Sequence, residues 1–341
     1  MTPHAPVLPL PSWLAPQLPR LQQATHAAVM LSGPAGVGQL TLAYHLAAAW
    51  LCEAPTAQGM CGQCPSCGNL HAQTHPDLCL LLPETVAAAT GLMLAPRAQA
   101  ALEGKDTKPS QWIRVDAALE AVEFLQRTRS RQQGRVVVVY PAERLNTESA
   151  NTLLKTLEEP PPHLRFVLAT EQAAAVLPTV RSRCQLQAVH WPPAPEVLDW
   201  LAQQHPKASA ADCQACLQLA GGLPEKALAL LGAGLTQSEC QTLPSLLAKG
   251  QGGALARLSG PDLIEMLQKV AHDALATVHG AAPRFFVQAQ WPHPMQPMAL
   301  QQWASQLNDD RRHAAHPFQA SLMLDAHVAM AQRALHARRQ A

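Results

Sequence analysis

Apolar positions follow two regimes along the chain. In the first half, short apolar runs alternate with helical stretches. Ala28-Val29-Met30-Leu31 is one such run, and it stops at a Gly/Pro loop, Gly33 to Gly38. From Gln39 to Trp50 the pattern turns helical and is rich in Ala and Leu. Leu78 to Leu82 reads as a second buried strand, and Phe166 to Ala169 as another. The clearest is Arg135 followed by Val136–Val139, β-branched residues with no polar alternation, as expected of a strand covered on both faces. Short apolar strands separated by helical segments predict a parallel α/β sheet.

The second regime begins after His190–Pro195, where the prolines that follow Trp191 cannot continue a sheet and mark a domain joint. Beyond it the pattern is helical throughout. Leu263, Met266, Leu267, Val270, Ala271, Ala274, Leu275 and Val278 recur at three- and four-residue steps, one face of a long helix. Phe318 to Arg339 reads as a terminal helix ending in bases, which suit a helix C-terminus. Between the strand candidates Leu78–Leu82 and Arg135–Val139, Glu84 to Ser110 is Ala-rich and carries a charged patch, Glu103 to Lys108. It reads as a surface excursion.

Length and charge narrow the picture. At 341 residues the chain exceeds one ordinary core and implies two or three domains. A formal net charge of +1 and 4% aromatic residues argue against a chain that grips nucleic acid by phosphate neutralisation or base stacking alone. No apolar run approaches the roughly 18 residues of a membrane span. The Pro-rich stretch Met1–Arg20 lacks the basic start and apolar core of a secretory signal. The expectation is a soluble, cytoplasmic protein without a membrane partner.

Three segments carry candidate chemistry. Gly33, Gly36 and Gly38 keep the spacing of a phosphate loop between a strand and a helix, where backbone N–H groups can approach phosphates. The lysine and hydroxyl that complete such a loop are replaced by Gln39 and Leu40. Gln39 supplies no cation and Leu40 no Mg²⁺ ligand, while Thr41 stands about 100° further around the helix. The segment is therefore either a phosphate loop with weak or absent nucleotide affinity or a Gly-rich strand-to-helix turn. An ATPase also needs acids at the end of a strand like Val136–Val139, but this one ends in Tyr140-Pro141. Glu143, three residues later, reads as an exposed helix-start residue. ATP hydrolysis by this chain is not expected.

The second segment is a cysteine cluster: Cys52, Cys61, Cys64 and Cys67, with Gly59, Gly62 and Gly68 easing the turns. Paired C-x-x-C steps suit structural, tetrahedral Zn²⁺ with no open position. Reduced free thiols, a redox pair at Cys61/Cys64, or an iron–sulfur cluster are the other readings. His71 and His75 lie near enough to be ligands, although four thiolates suffice. Cys79, in an apolar strand, and Cys213 and Cys216, in a helical stretch, read as packing residues.

The third segment is an amphipathic helix, a strand and a basic turn. It runs Ala150-Asn151-Thr152-Leu153-Leu154-Lys155-Thr156-Leu157-Glu158-Glu159-Pro160-Pro161, then Phe166-Val167-Leu168-Ala169-Thr170, then Ser182-Arg183-Cys184. Read alone, Arg183 is a surface arginine of the kind that forms an exposed ion pair. Together these residues resemble the clamp-loader branch of the AAA+ ATPases, and the cysteine cluster after the first helix resembles the zinc module of bacterial loader subunits. The similarity covers about residues 11–230 and extends more loosely over the C-terminus.

The resemblance implies a RecA-like α/β domain with an inserted zinc module, then an all-α remainder. It implies residues 1–191 for the first domain with the module at about 52–67, a helical lid over 192–235, and a helical collar that mediates oligomerisation over 236–341. It implies that Arg183 is a trans-acting arginine finger for a neighbouring subunit's ATP site and that Thr170 holds the sensor-1 position. The sensor-2 arginine is absent, with Glu225 in its place within Gly221–Ala227. The implied role is a non-catalytic loader subunit within the DNA polymerase III holoenzyme. Its implied partners are gamma/tau motor subunits, the delta subunit, the β sliding clamp and, through the complex, primer–template DNA. Competing readings are an active gamma/tau-class loader ATPase, a zinc-dependent nucleic-acid-binding module, and a redox protein using Cys61 and Cys64.

Overall fold

The computed structural model describes residues 8–94, 99, 109–126, 130–292, 294–312 and 320–336. The chain divides into two compact units, Met1–Pro193 and Ala194–Ala341. In the first unit the elements are α1 (Leu18–Gln22), β1 (Ala28–Ser32), α2 (Gln39–Leu51), α3 (Pro65–His71), β2 (Leu78–Leu81), α4 (Glu84–Thr90), α5 (Val115–Gln126), β3 (Arg135–Val139), α6 (Thr147–Glu158), β4 (Leu164–Thr170), α7 (Pro178–Arg181) and β5 (Gln185–Ala188). The sheet has the order β2-β3-β4-β1-β5, and every pairing is parallel. The α/β expectation holds.

The register explains where a site can form. Ser32 pairs with Thr170 and Leu81 with Val139, so the loops after β1, β3 and β4 emerge at one carboxyl edge of the sheet. In open α/β sheets that edge is where ligands bind. On one face Met30, Leu81, Val137, Phe166 and Leu168 pack with Ile113, Ala118, Leu153 and Val180. Helix α2 is buried along its whole length except at Thr41 and Trp50, which is why its sequence shows no polar stripe. Helix α6 is capped by Asn146, whose side chain accepts the Ser149 N–H at 2.8 Å, and Pro160 prevents its continuation.

One expectation for this unit is corrected, and one strand is added. Glu84 does not open a surface excursion: Glu84–Thr90 is a helix, and the buried Glu84 carboxylate pairs with Arg114 at 2.9 Å and accepts the Ser110 N–H at 2.8 Å. The patch Glu103–Lys108 lies outside the described residues. The strand β5 has no counterpart in the apolar pattern. It reads Gln-Leu-Gln-Ala at the sheet edge, with Gln185 and Gln187 half-buried and Leu186 and Ala188 exposed, so its alternating glutamines leave no apolar run to announce it.

The second unit is helical among the described residues, with α8 (Ala194–Gln204), α9 (Ala210–Leu219), α10 (Pro224–Gly232), α11 (Gln237–Ala248), α12 (Gly260–Val278), α13 (Pro297–Asp310) and α14 (Ala320–His336). Reciprocal capping at Ser209/Asp212 and Thr236/Glu239 sets the starts of α9 and α11. Of the face predicted for α12, Leu263, Met266, Leu267, Val270, Ala271 and Ala274 are buried. Asp273 on the same helix is also fully buried, and its carboxylate accepts the N–H groups of Arg284, Phe285 and Phe286 at 3.0, 2.6 and 2.7 Å. That acid binds an irregular loop to the helix, a role apolar periodicity does not reveal. Residues 318–319 and 337–339 of the expected terminal helix lie outside the described residues. No described helix is long and apolar enough to cross a membrane.

Candidate functional site

The loop after β1 takes the turn its glycines allow. Gly36 and Gly38 have φ of 87° and 96°, a region L side chains avoid, and Gly38 leads directly into α2. Gln39 then departs from the part a lysine would play. Its side chain folds back, is 1% exposed, and donates to the carbonyls of Gly33 at 2.6 Å and Pro34 at 2.7 Å. A lysine that serves phosphates must point its cation outward; this amide is spent inside the loop. The N-terminal segment closes over the same turn. Trp13 Nε1 donates to the Val37 carbonyl at 3.1 Å, and a Cβ on Gly38 would come within 2.8 Å of the Leu14 side chain. Leu40 is buried, and Thr41 is half-buried. The part taken by Trp13 and Leu14 was not legible in the Pro-rich start of the chain.

Beside this loop, Thr170 ends β4 with its hydroxyl already engaged. It donates to Glu143 Oε2 at 2.7 Å, and Glu143 Oε1 accepts the Glu171 N–H at 3.1 Å. Tyr140 donates its hydroxyl to Glu171 at 2.6 Å. The expectation for Glu143 is corrected here. It sits in a short 3₁₀ turn, Ala142–Arg144, half-buried, and serves as the acceptor that fixes the end of β4. Tyr140 and Pro141 stand where the strand ends and contribute no acid, as their side chains dictate.

Arg183 follows α7, with Cys184 completing the turn before β5. Its Nη1 donates to the Thr179 carbonyl at 2.6 Å and its Nη2 pairs with Glu158, the last residue of α6. Both partners are partly exposed, 30% for Arg183 and 46% for Glu158. An exposed pair of this kind is worth at most about 1 kcal/mol. Arg183, Ser182, Glu158, Pro160 and His26 line an open recess of about 740 Å³ on the surface of the unit. Glu225 lies in the other unit, exposed in the first turn of α10.

The cysteines converge as the spacing predicts. The Sγ atoms of Cys52, Cys61, Cys64 and Cys67 all lie within 4.8 Å of one another. Individual separations are 3.5 Å for Cys64–Cys67, 3.6 Å for Cys52–Cys67, 3.8 Å for Cys52–Cys64 and 3.9 Å for Cys61–Cys67. A tetrahedral Zn²⁺ with bonds of about 2.3 Å places its sulfurs about 3.8 Å apart, so the donor set fits the ion in both chemistry and size. Backbone N–H groups support it: Cys61 N–H donates to Cys52 Sγ at 3.2 Å and Cys67 N–H to Cys64 Sγ at 3.4 Å. Backbone donors from Gln63 and Cys64 bring the Cys61 thiol down to about 6, whereas burial pushes Cys52 and Cys67 up. His71 and His75 are not in the cluster. His75 is instead buried against Ser66, a pairing the cysteine spacing did not disclose. Cys79, Cys213 and Cys216 are buried in packing positions, as expected.

A family model described as DNA polymerase III, delta subunit, matches residues 19–192. The DNA polymerase III subunit delta' of Pseudomonas aeruginosa is 38% identical over 222 residues, 65% of this chain and 61% of that protein. Its counterpart in Escherichia coli is 33% identical over 282 residues, 79% of this chain and 77% of that protein. A DNA polymerase III subunit gamma of Buchnera aphidicola is 30% identical over 159 residues, 47% of this chain and 37% of that protein. The chain thus spans about three-fifths of the Pseudomonas relative and about three-quarters of the Escherichia one.

Proposed function

The chain belongs to the DNA polymerase III delta subunit family, with relatives named delta', and from that premise we propose that it is the clamp-loader subunit that has no working ATP site of its own and lends Arg183 to a neighbour's. The observation that carries the reading is a contrast within one unit. The phosphate loop is filled by its own Gln39 amide, whereas Arg183 stands at an open recess, held by an exposed ion pair.

In this reading a motor subunit of the gamma/tau class docks its nucleotide against the recess. The Arg183 guanidinium leaves Glu158 and donates to γ-phosphate oxygens as negative charge develops on them. No acid at Tyr140 or Pro141 and no cation at Gln39 competes for that nucleotide. Thr170, in the sensor-1 position, keeps structural bonds, donating to Glu143 and accepting the Gln172 N–H. The cluster of Cys52, Cys61, Cys64 and Cys67 holds a structural Zn²⁺, which fixes the segment between α2 and β2 and takes no part in hydrolysis. Residues 192–235 act as the lid and 236–341 as the collar through which the subunit joins delta and the motor subunits. The β clamp and primer–template DNA are met through the assembled complex, in keeping with a net charge of +1.

Similarity to a gamma subunit over 47% of the chain supports one competing reading, an active loader ATPase. Two measurements decide between them. The purified chain should neither bind nor turn over ATP detectably, and it should join gamma/tau and delta subunits in one complex on size-exclusion chromatography. Steady ATP turnover by the chain alone would select the ATPase; failure to enter the complex would refute both.

A further inference from the structure

We infer that Ser66, His75 and Asp77 form a hydrogen-bonded strut that holds the cysteine sulfurs at metal-binding separation and ties them to the sheet, which makes Ser66 and His75 positioning residues of the metal centre. The inference rests on the reading of the cysteine cluster as a zinc site. Its starting point is that one side chain bridges both ligand-bearing segments. Ser66 lies between Cys64 and Cys67 in the first turn of α3, and its hydroxyl donates to the carbonyl of Leu51 at 2.6 Å. Leu51 ends α2 and precedes Cys52. The span from Cys52 to Cys64 and Cys67 is therefore set by this bond as well as by the metal.

The direction of every proton in the strut is determined. The Asp77 backbone N–H donates to His75 Nδ1 at 3.1 Å, so in the neutral ring Nδ1 carries the lone pair and Nε2 the hydrogen. Nε2 lies 2.8 Å from Ser66 Oγ and donates to it, which leaves the Ser66 proton for Leu51. At the far end, Asp77 Oδ1 accepts the Ser130 N–H at 3.1 Å, and the Asp77 carbonyl accepts the Val136 N–H at 3.0 Å, beside the first residues of β2 and β3. Ser66, His75 and Asp77 are 0%, 6% and 1% exposed.

The same geometry excludes the other chemistry a Ser, His and Asp could suggest. A nucleophilic serine needs an imidazole nitrogen that accepts its proton and a carboxylate that orients the ring. Here the imidazole donates to the serine, the ring is oriented by a backbone N–H, and all three groups are sealed from solvent. What remains is orientation. Groups that hold metal ligands in place commonly change metal affinity about 10–100-fold when removed.

The test uses the full-length, zinc-loaded chain. Zinc affinity is measured by competition with a chromophoric chelator, and the ligand field by the visible spectrum after Co²⁺ replacement. The wild-type chain is measured first. Ser66→Ala and His75→Leu are expected to weaken zinc binding about 10–100-fold and to shift the Co²⁺ bands, while His75→Gln, which can return an N–H to Ser66, recovers part of both. Unchanged zinc affinity and Co²⁺ spectrum in Ser66→Ala and His75→Leu, even with lower thermal stability, would overturn the strut and leave plain packing. Should His75→Leu fail to fold, Ser66→Ala, which removes a single oxygen, decides alone. A wild-type chain that takes up neither Zn²⁺ nor Co²⁺ refutes the zinc reading itself, and the strut with it.

Discussion

In the proposed reading, Gln39 is the residue that closes the loop after β1. Its amide replaces an outward cation by two inward hydrogen bonds, to Gly33 and Pro34. Gln39→Lys alone is therefore expected to give no steady ATP turnover in a coupled phosphate-release assay, because Leu40, Tyr140 and Pro141 still supply no Mg²⁺ chemistry; turnover by that single variant would contradict the account. Asp273 is the buried acid on which the loop at Arg284–Phe286 depends. Asp273→Ala leaves three N–H groups without their acceptor and should lower the stability of the helical unit by about 3 kcal/mol, read as a lower thermal midpoint. Glu265 gives a pH signature. Burial raises its carboxyl, but the ammonium groups of Lys226 and Lys269, at 2.7 and 2.8 Å, outweigh that and bring it from 4.5 to about 2. A carboxyl lowered by folding adds stability that is complete above about 4.5 and is lost as pH falls toward 2. Thermal midpoints measured from pH 6 to pH 3 should fall less steeply in Glu265→Gln than in the parent, and parallel slopes would refute the assignment.

At the scale of elements, what the sequence discloses depends on how a segment is buried. Strands β1 to β4, β2 at one edge included, are largely buried and show as apolar runs; β5, at the other edge, alternates Gln with exposed Leu and Ala and shows as nothing. Helix α2 was legible from composition and from the glycines before it, although being buried all round it has no stripe. The cysteine pairs were legible because metal geometry restricts spacing. The strut behind them was not, since Ser66 and His75 are nine residues apart and meet only when α3 turns back toward β2. The inward turn of Glu143 is not legible, because a position after a strand gives no sign of whether the chain will turn inward; the 3₁₀ turn brings it to Thr170. The metal reading makes a prediction at this scale. Removal of zinc by a strong chelator should open residues 52–75 to limited proteolysis while the parallel sheet keeps its circular dichroism. Equal protease resistance with and without metal would show that the segment does not depend on it.

For the whole molecule, the proposed function is a division of labour: a subunit without an engine of its own activates the engine next to it. Family membership supplies the setting, and the residues supply the asymmetry, a plugged loop in the same unit as an arginine held by an exposed partner. Arg183 was legible in the sequence only through its neighbours, Glu158–Pro161 and Ser182–Cys184, since an isolated arginine carries no such meaning. Its pairing with Glu158 became visible only in three dimensions. The most direct test is ATP hydrolysis by the reconstituted loader, stimulated by β clamp and primed DNA, with this chain compared against its Arg183→Ala form. A finger is worth about 10³–10⁵ in rate at its own site, diluted in the total by the other motor sites. A clear fall in turnover is expected with the complex still assembled, and unchanged turnover in an intact complex would rule out Arg183 as a trans-acting finger.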